Sequence, residues 1–360
     1  MILRYNRLLI FFLFLAFCSR AGAYQNLTAN IGGGYVGNLF ADSFNIGNSF
    51  IWNNVSFSST SFQKIKLKLY YGISYYNYNT DNPINNIFHV PGVTLYKKNQ
   101  DGRFKWGIDT FATIKDYVSA NSSFDNYRIF TVADVSYYLV PGFQARTLYS
   151  LTRSKYLSYG VLDNIEQSAE AGIVATLPHR TTLRGTGRYS ARRFDTDQIT
   201  FHWVDTEFGL SQSIDIRTGL SFTFLKRWSK GGERPLASYY IISGITSYWD
   251  PWSGNQVEIA LKRILPYAIL CKIVGGSWNK SFLYDQYLRD QLSWLKNKSG
   301  RRDEGWLVRA ELGRQYGLRL PVTESIKINM RGGYLSNHSG DRFYTYNNFM
   351  ADLNLEIHIF

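Results

Sequence analysis

The chain has 360 residues, a formal net charge of +13, and nearly as much aromatic (17%) as charged (19%) side chain. It has two cysteines, of which Cys18 falls in a segment expected to be removed; Cys271 is then alone, which excludes a disulfide-stapled secreted scaffold. Beyond residue 23 no apolar run is long enough to cross a bilayer as a helix, so if this chain spans a membrane it does so with strands.

The first 23 residues read as a secretory signal peptide. Arg4 and Arg7 precede an apolar run from Leu8 to Cys18, and Ala21-Gly22-Ala23 supplies a small-x-small cleavage site before Tyr24. Phe17 is too bulky for a lipid-attachment motif at Cys18, so no lipid anchor is expected. The mature domain is then 24–360.

From Leu27 to Ile359 the dominant signal is apolar/polar alternation, the signature of strands with one apolar and one polar face. Leu27, Ala29, Ile31, Gly33 and Tyr35 alternate with Asn26, Thr28, Asn30 and Gly32. Ile65, Leu67, Leu69, Tyr71 and Ile73 alternate with Lys64, Lys66, Lys68, Tyr70 and Gly72. The pattern returns with Phe104, Trp106 and Ile108 against Lys105 and Asp109, and with Leu183, Gly185, Gly187 and Tyr189 against Arg184, Thr186, Arg188 and Arg192. Leu353, Leu355, Ile357 and Ile359 close the chain opposite Asp352, Asn354, Glu356 and His358.

Turn chemistry punctuates these runs at Asn99–Gly102, Val140–Gly142, Leu177–Arg180, Ser213–Ile216 and Asp250–Gly254. Longer polar links alternate with them: Asn79–Asn86, Val118–Asp125, Tyr156–Asp163, Ser229–Pro235, Gly275–Gly305 and His338–Phe343. The spacing predicts 16 strands: 25–40, 48–59, 63–78, 87–98, 103–117, 126–139, 143–155, 164–177, 181–193, 199–213, 217–228, 236–249, 255–274, 306–317, 325–337 and 347–360. Many are far longer than the 5–6 residues usual in soluble sheets, and match the tilted strands of a membrane barrel. The expected fold is an all-β, antiparallel, up-and-down transmembrane barrel of about 16 strands.

In this architecture the chain resembles the broad class of Gram-negative outer-membrane β-barrels, porin-like in size, over essentially all of residues 24–360. The terminus Leu353-Asn354-Leu355-Glu356-Ile357-His358-Ile359-Phe360 carries the most specific part of the likeness. Such barrels end in an aromatic residue that the barrel-assembly machinery reads, and Phe360 takes that place; its apolar neighbours sit one step out of the usual phase. The resemblance implies a location in the cell outer membrane, with lipid and lipopolysaccharide as partners and homo-oligomerisation possible.

If the polar residues face the lumen, its wall carries Arg128, Arg146, Arg184, Arg188, Arg192, Lys327, Arg331 and the ladder Lys64, Lys66, Lys68. Acidic partners are also present, and Glu166 and Glu170 on the preceding strand are placed to pair with the arginines at every fourth residue. This leaves a lumen of self-satisfied charge pairs standing beside an anion-favouring, water-filled channel. Residues 281–298 put Tyr284, Leu288, Leu292 and Leu295 at helical spacing, as a helix folded into the pore or an exposed basic loop. Aromatic clusters such as Tyr75-Tyr76-Tyr78 and Tyr137-Tyr138 read as membrane-interface girdles.

No catalytic, metal or cofactor signature emerges, and no nucleic-acid partner is expected. Gly32-Gly33-Gly34-Tyr35-Val36-Gly37 fits a nucleotide-binding glycine pattern, but alternation runs straight through it where a helix start is required. The five histidines lack ligand spacing. His202 is in phase with Val204 and Phe208, on the lipid side, without a nucleophile motif beside it. The leading expectation is a porin-like channel for small hydrophilic solutes with a mildly anion-favouring lumen. The alternatives are a filled barrel with a structural or surface-binding role, and an export pore for an anionic polymer.

Overall fold

A computed structural model describes residues 24–37, 47–60, 65–79, 85–117, 125–158, 160–196, 200–231, 252–282, 301–318, 323–340 and 344–359. The signal segment, Lys64, Phe360 and residues 283–300 of the proposed loop helix lie outside them.

Alternation becomes a barrel because every strand finds two antiparallel neighbours. The strands are β1 (Tyr24–Val36), β2 (Asn48–Thr60), β3 (Lys66–Tyr78), β4 (Asn86–Lys98), β5 (Phe104–Tyr117), β6 (Asn126–Val140), β7 (Phe143–Tyr156) and β8 (Asn164–Leu177). They continue as β9 (Thr181–Phe194), β10 (Thr200–Ser213), β11 (Thr218–Gly231), β12 (Trp252–Leu265), β13 (Ile269–Phe282), β14 (Arg302–Gly317), β15 (Ser325–Ser339) and β16 (Tyr346–His358). Each pairs with its sequence neighbours, and β1 closes on β16 through Thr28↔His358 to Val36↔Met350. Closure leaves no unpaired strand edge, which is what a backbone in lipid requires.

The register keeps the two faces separate around the whole wall. Ile31, Val55 and Ile73 share one face through Ile31↔Asn53, Ala29↔Val55 and Val55↔Ile73, while Asn30, Asn54 and Ser74 share the other. Curvature tells which face is inside, because side chains converge on the concave side and reach across an intervening strand. Tyr70 of β3 reaches Asp109 of β5 (3.1 Å), Trp278 of β13 donates to Asn337 of β15 (3.0 Å), and Arg309 of β14 meets Glu258 of β12 (3.5 Å). All three are on the polar face, so that face lines the interior. Apolar residues such as Ile51 (58% exposed) and Leu353 (56%) stand outward, as lipid-facing residues do.

Two expectations for the middle of the chain are corrected. The segment 255–274 is not one strand: Pro266 ends β12, and β13 starts at Ile269 and runs on to Phe282, into the expected loop 275–305. The expected turn at 250–254 is instead the start of β12 at Trp252, and the expected strand 236–249 lies outside the described residues. Pro266 lacks a ladder N–H, and the next two residues, Tyr267 and Ala268, adopt φ of 60° and 56°. His179 and Arg180 after Pro178 do the same, both at φ 61°. Positive φ at both central positions matches the twist of a hairpin but is strained for residues with a Cβ. Ala268→Gly is therefore expected to stabilise the folded barrel by about 0.5–1 kcal/mol, read from urea unfolding in liposomes.

At the β10–β11 turn, Asp215 accepts backbone hydrogen bonds from Arg217 (2.6 Å) and Thr218 (2.7 Å). The Arg217 N–H holds its carboxyl below the ordinary range, helped by Thr218 and the nearby Arg263 charge. A depressed carboxylate pKa stabilises the fold above the unfolded value, and that contribution is lost as pH falls through the folded one. Amide protection at Arg217 and Thr218 should thus fall on acidification below about pH 4, and Asp215→Asn should remove this pH dependence.

Candidate functional site: the barrel interior

The interior has two chemically different walls. The larger, from β8 through β16, is laced with arginine–carboxylate pairs. Arg192 grips Glu166 through Nε (2.9 Å) and Nη2 (2.6 Å), and Arg188 donates to Glu170 through Nε (2.8 Å) and Nη2. Arg184 turns the other way, to Glu207 of β10. Arg227 meets Asp205 in a two-pronged pair at 2.6 and 2.8 Å. Arg331 pairs with Asp352 (2.9 Å) and Lys327 with Glu356 (3.9 Å). The arginine run of β9 is thus not a free cationic ladder: the acids on either side take up every member. Where they are solvent-exposed, pairs of this kind add little stability each, but they fix side-chain direction.

Above this network, toward the long-loop end, cations and indoles alternate around the wall. Arg192 lies 5.5 Å from the Trp203 ring, and Arg227 lies 5.6 Å from Trp203 and 4.5 Å from Trp252. Lys280 lies 4.9 Å from Trp252 and 5.5 Å from Trp278. Arg301, buried, is sandwiched between Phe282 (3.8 Å) and Tyr344 (3.4 Å) while its guanidinium holds Asp303. Cation–π contacts at desolvated sites are worth up to about 2 kcal/mol each, so this side of the mouth is a rigid cornice.

The second wall, β2 through β6, is lysine-rich and aromatic. Lys66 and Lys68 lie on its inner face opposite Tyr96 and Thr94, and Lys98 stands directly opposite Lys105. Among the described residues no acid is paired directly opposite any of these four; Asp109 is engaged by Tyr70 and by Thr94 (2.8 Å). A like-charged pair directly opposite is unfavourable. Arg128 donates to Tyr156 (3.0 Å), and Arg146 approaches Asp134 at 3.8 Å.

Several aromatics expected at the membrane interfaces turn inward instead. Tyr76 and Tyr78 pair with Trp52 and Phe50 on the inner face, and Tyr138 pairs with Gln144 there, while Tyr137 faces out at 42% exposure. Adjacent residues of a strand necessarily face opposite ways, so a run of tyrosines splits between lipid and lumen. Sequence reasoning missed these rings by treating such runs as units, although the alternation that assigned the lysines assigns them too.

The glycine tract is strand, as β1 runs through Gly32–Gly34. Gly32 makes room for the Trp52 indole (2.6 Å from an added Cβ) and Gly34 for Asp352 (2.8 Å). His202 lies on the outer face and bonds the Tyr189 hydroxyl at 2.6 Å. Among the described residues no cluster of His, Cys, Asp or Glu is arranged to hold a metal ion.

A closed antiparallel barrel of 16 strands with a charged interior is the fold of the porin-like channels of bacterial outer membranes. No protein-family description matches the chain, and no curated protein sequence does. Among solved structures it is similar to OccD3 (OpdP) of Pseudomonas aeruginosa, with TM-score 0.53 and 11% identity over 94% of each chain. It is also similar to OccK2 (OpdF) of Pseudomonas aeruginosa in complex with glucuronate, with TM-score 0.52 and 11% identity, covering 94% of this chain and 98% of that one. A bacterial polysaccharide outer membrane secretin gives TM-score 0.54 at 9% identity, over 93% of this chain and 98% of that one.

Proposed function

We propose that this protein is an outer-membrane channel for small hydrophilic solutes with a preference for anions. It is exported on its cleaved signal peptide, folded by the barrel-assembly machinery and set in lipid with lipopolysaccharide around its outer face. No catalytic role is assigned. The observation that carries the reading is the lysine set Lys66, Lys68, Lys98 and Lys105 on the inner face, with no acid directly opposite among the described residues. Charges focused by low-dielectric walls raise the local concentration of counter-ions, so an uncompensated set at one mouth biases what enters. On this reading the anion preference arises on β3–β5, and the self-paired arginines of β9 contribute little.

One neighbour's ligand points the same way, since OccK2 is in complex with glucuronate, an anion. Reversal potentials across a tenfold salt gradient test the reading. The wild-type channel is expected to favour chloride over potassium. Exchanging Lys66, Lys68, Lys98 and Lys105 for glutamate is expected to move the permeability ratio toward cations by about threefold or more. A cation-selective wild type, or a ratio unmoved by the fourfold exchange, rejects it.

A further inference from the structure

The β2–β6 inner wall carries more than lysines. Its register sets aromatic rings in separate rows along the wall. Trp52 and Tyr76 form one row, stacked at 6.2 Å and 18°, with Phe88 edge-on to Tyr76 at 5.8 Å. Toward the short turns, Tyr70, Gly92, Phe111 and Phe130 make a lateral row, in which the two phenylalanines stack at 4.8 Å and 13°. Gly92 leaves the Tyr70 ring the space that a Cβ would fill. Tyr96 and Tyr138 follow near the short-turn end. All of these rings are half-buried on a face that lines a water-filled interior, where burying apolar surface against the wall alone leaves much of each ring wet.

Each ring group has a lysine at hand. Lys115 lies 5.1 Å from Phe88 and 4.4 Å from Tyr117, Lys68 lies 5.7 Å from Tyr70, and Lys105 lies 4.9 Å from Tyr138. Hydrogen-bonding side chains fill the rows between: Asn54 with Ser74 (2.7 Å), and Thr94 and Asp109 below them. On the opposite wall the Trp203 and Trp252 indoles are engaged by arginines already paired with acids, and the Trp278 indole donates to Asn337.

We propose that this wall is a binding track for saccharides bearing carboxylates, which rests on the channel reading above. A pyranose ring presents axial C–H groups to an aromatic face, whose π cloud is negative, and hydroxyls around its edge. The rings take the first and the Asn, Ser and Thr side chains take the second. The lysines, flexible point charges on long stems, swing from the ring faces to meet the carboxylates. The rows holding Tyr76, Tyr70 and Tyr96 lie six and four residues apart along β3, about 20 and 13 Å, so an oligosaccharide rather than a single sugar spans them. An aromatic acid would also stack and pair with lysine, but would leave the hydroxyl partners between the rows unused.

Current block of the folded, full-length channel in planar bilayers tests this with three probes: hexagalacturonate, maltohexaose and benzoate. Hexagalacturonate is expected to block at a concentration at least tenfold below either of the others. The pair Phe111→Ala and Phe130→Ala should raise its blocking concentration about tenfold. Phe111→Leu with Phe130→Leu, which keeps apolar volume without a ring, should do nearly the same, while Trp203→Ala on the opposite wall should leave it unchanged. Equal block by maltohexaose or by benzoate overturns the assignment, as does block indifferent to the phenylalanine exchanges. Steady conductance with no block overturns the track alone; no conductance overturns the channel reading and the track with it.

Discussion

Replacing Gly254 with alanine is expected to cost the folded barrel roughly 3 kcal/mol or more. Gly254 sits in the register between Arg227 of β11 and Lys280 of β13, at φ 154°. A Cβ there would run into the Asn279 carbonyl group, lying 2.9 Å from its carbon and 3.1 Å from the Lys280 Cα. These are backbone atoms of a strand hydrogen-bonded on both sides in a closed wall, so they cannot step aside as a side-chain tip would. Gly275→Ala is the matched control, since nothing lies within 4 Å of its added Cβ. Urea unfolding of the two variants in liposomes should differ sharply; equal midpoints would show that β12 and β13 do not pair in this register.

Asp205→Ala is the second large effect, expected at about 2–3 kcal/mol. The carboxylate is 6% exposed and makes both hydrogen bonds of the Arg227 fork. Removing it leaves a guanidinium held between two indoles with no anion to answer it. A double-mutant cycle with Arg227→Leu should recover most of the loss, because the pair then disappears together. The exchange also has a functional sign: with Arg227 freed, the reversal potential should move further toward anions. A shift toward cations would mean that this wall does not face the conducting path.

Most of the barrel was legible in the sequence because the signal that builds it, alternation with period two, is also the signal that a reader can count. Turns with Gly, Asn or Asp marked the β4–β5, β6–β7 and β10–β11 hairpins, but the same chemistry at Asp250–Gly254 misled, since β12 starts there. Pro266-Tyr267-Ala268 escaped, because its two positive-φ positions hold residues not usually selected for them and its flanks are apolar. The parallel between Leu177-Pro178-His179-Arg180-Thr181 and Leu265-Pro266-Tyr267-Ala268-Ile269 was the available clue.

The interior was legible by face but not by partner. That Glu166 and Glu170 answer Arg192 and Arg188 follows from adjacent strands; that Arg184 turns to Glu207 depends on a register which only the folded wall sets. The split of the lumen into an arginine–carboxylate wall and an aromatic–lysine wall likewise lives in the order of strands around the barrel, which no single segment displays.

Anion preference and the saccharide track both require that the barrel enclose an open, water-filled path. Single-channel recording of folded protein in planar bilayers tests it most directly, with folding verified by heat-modifiable migration on gels. Stable, ohmic conductance steps are expected. Folded protein that inserts and yet stays electrically silent would contradict it.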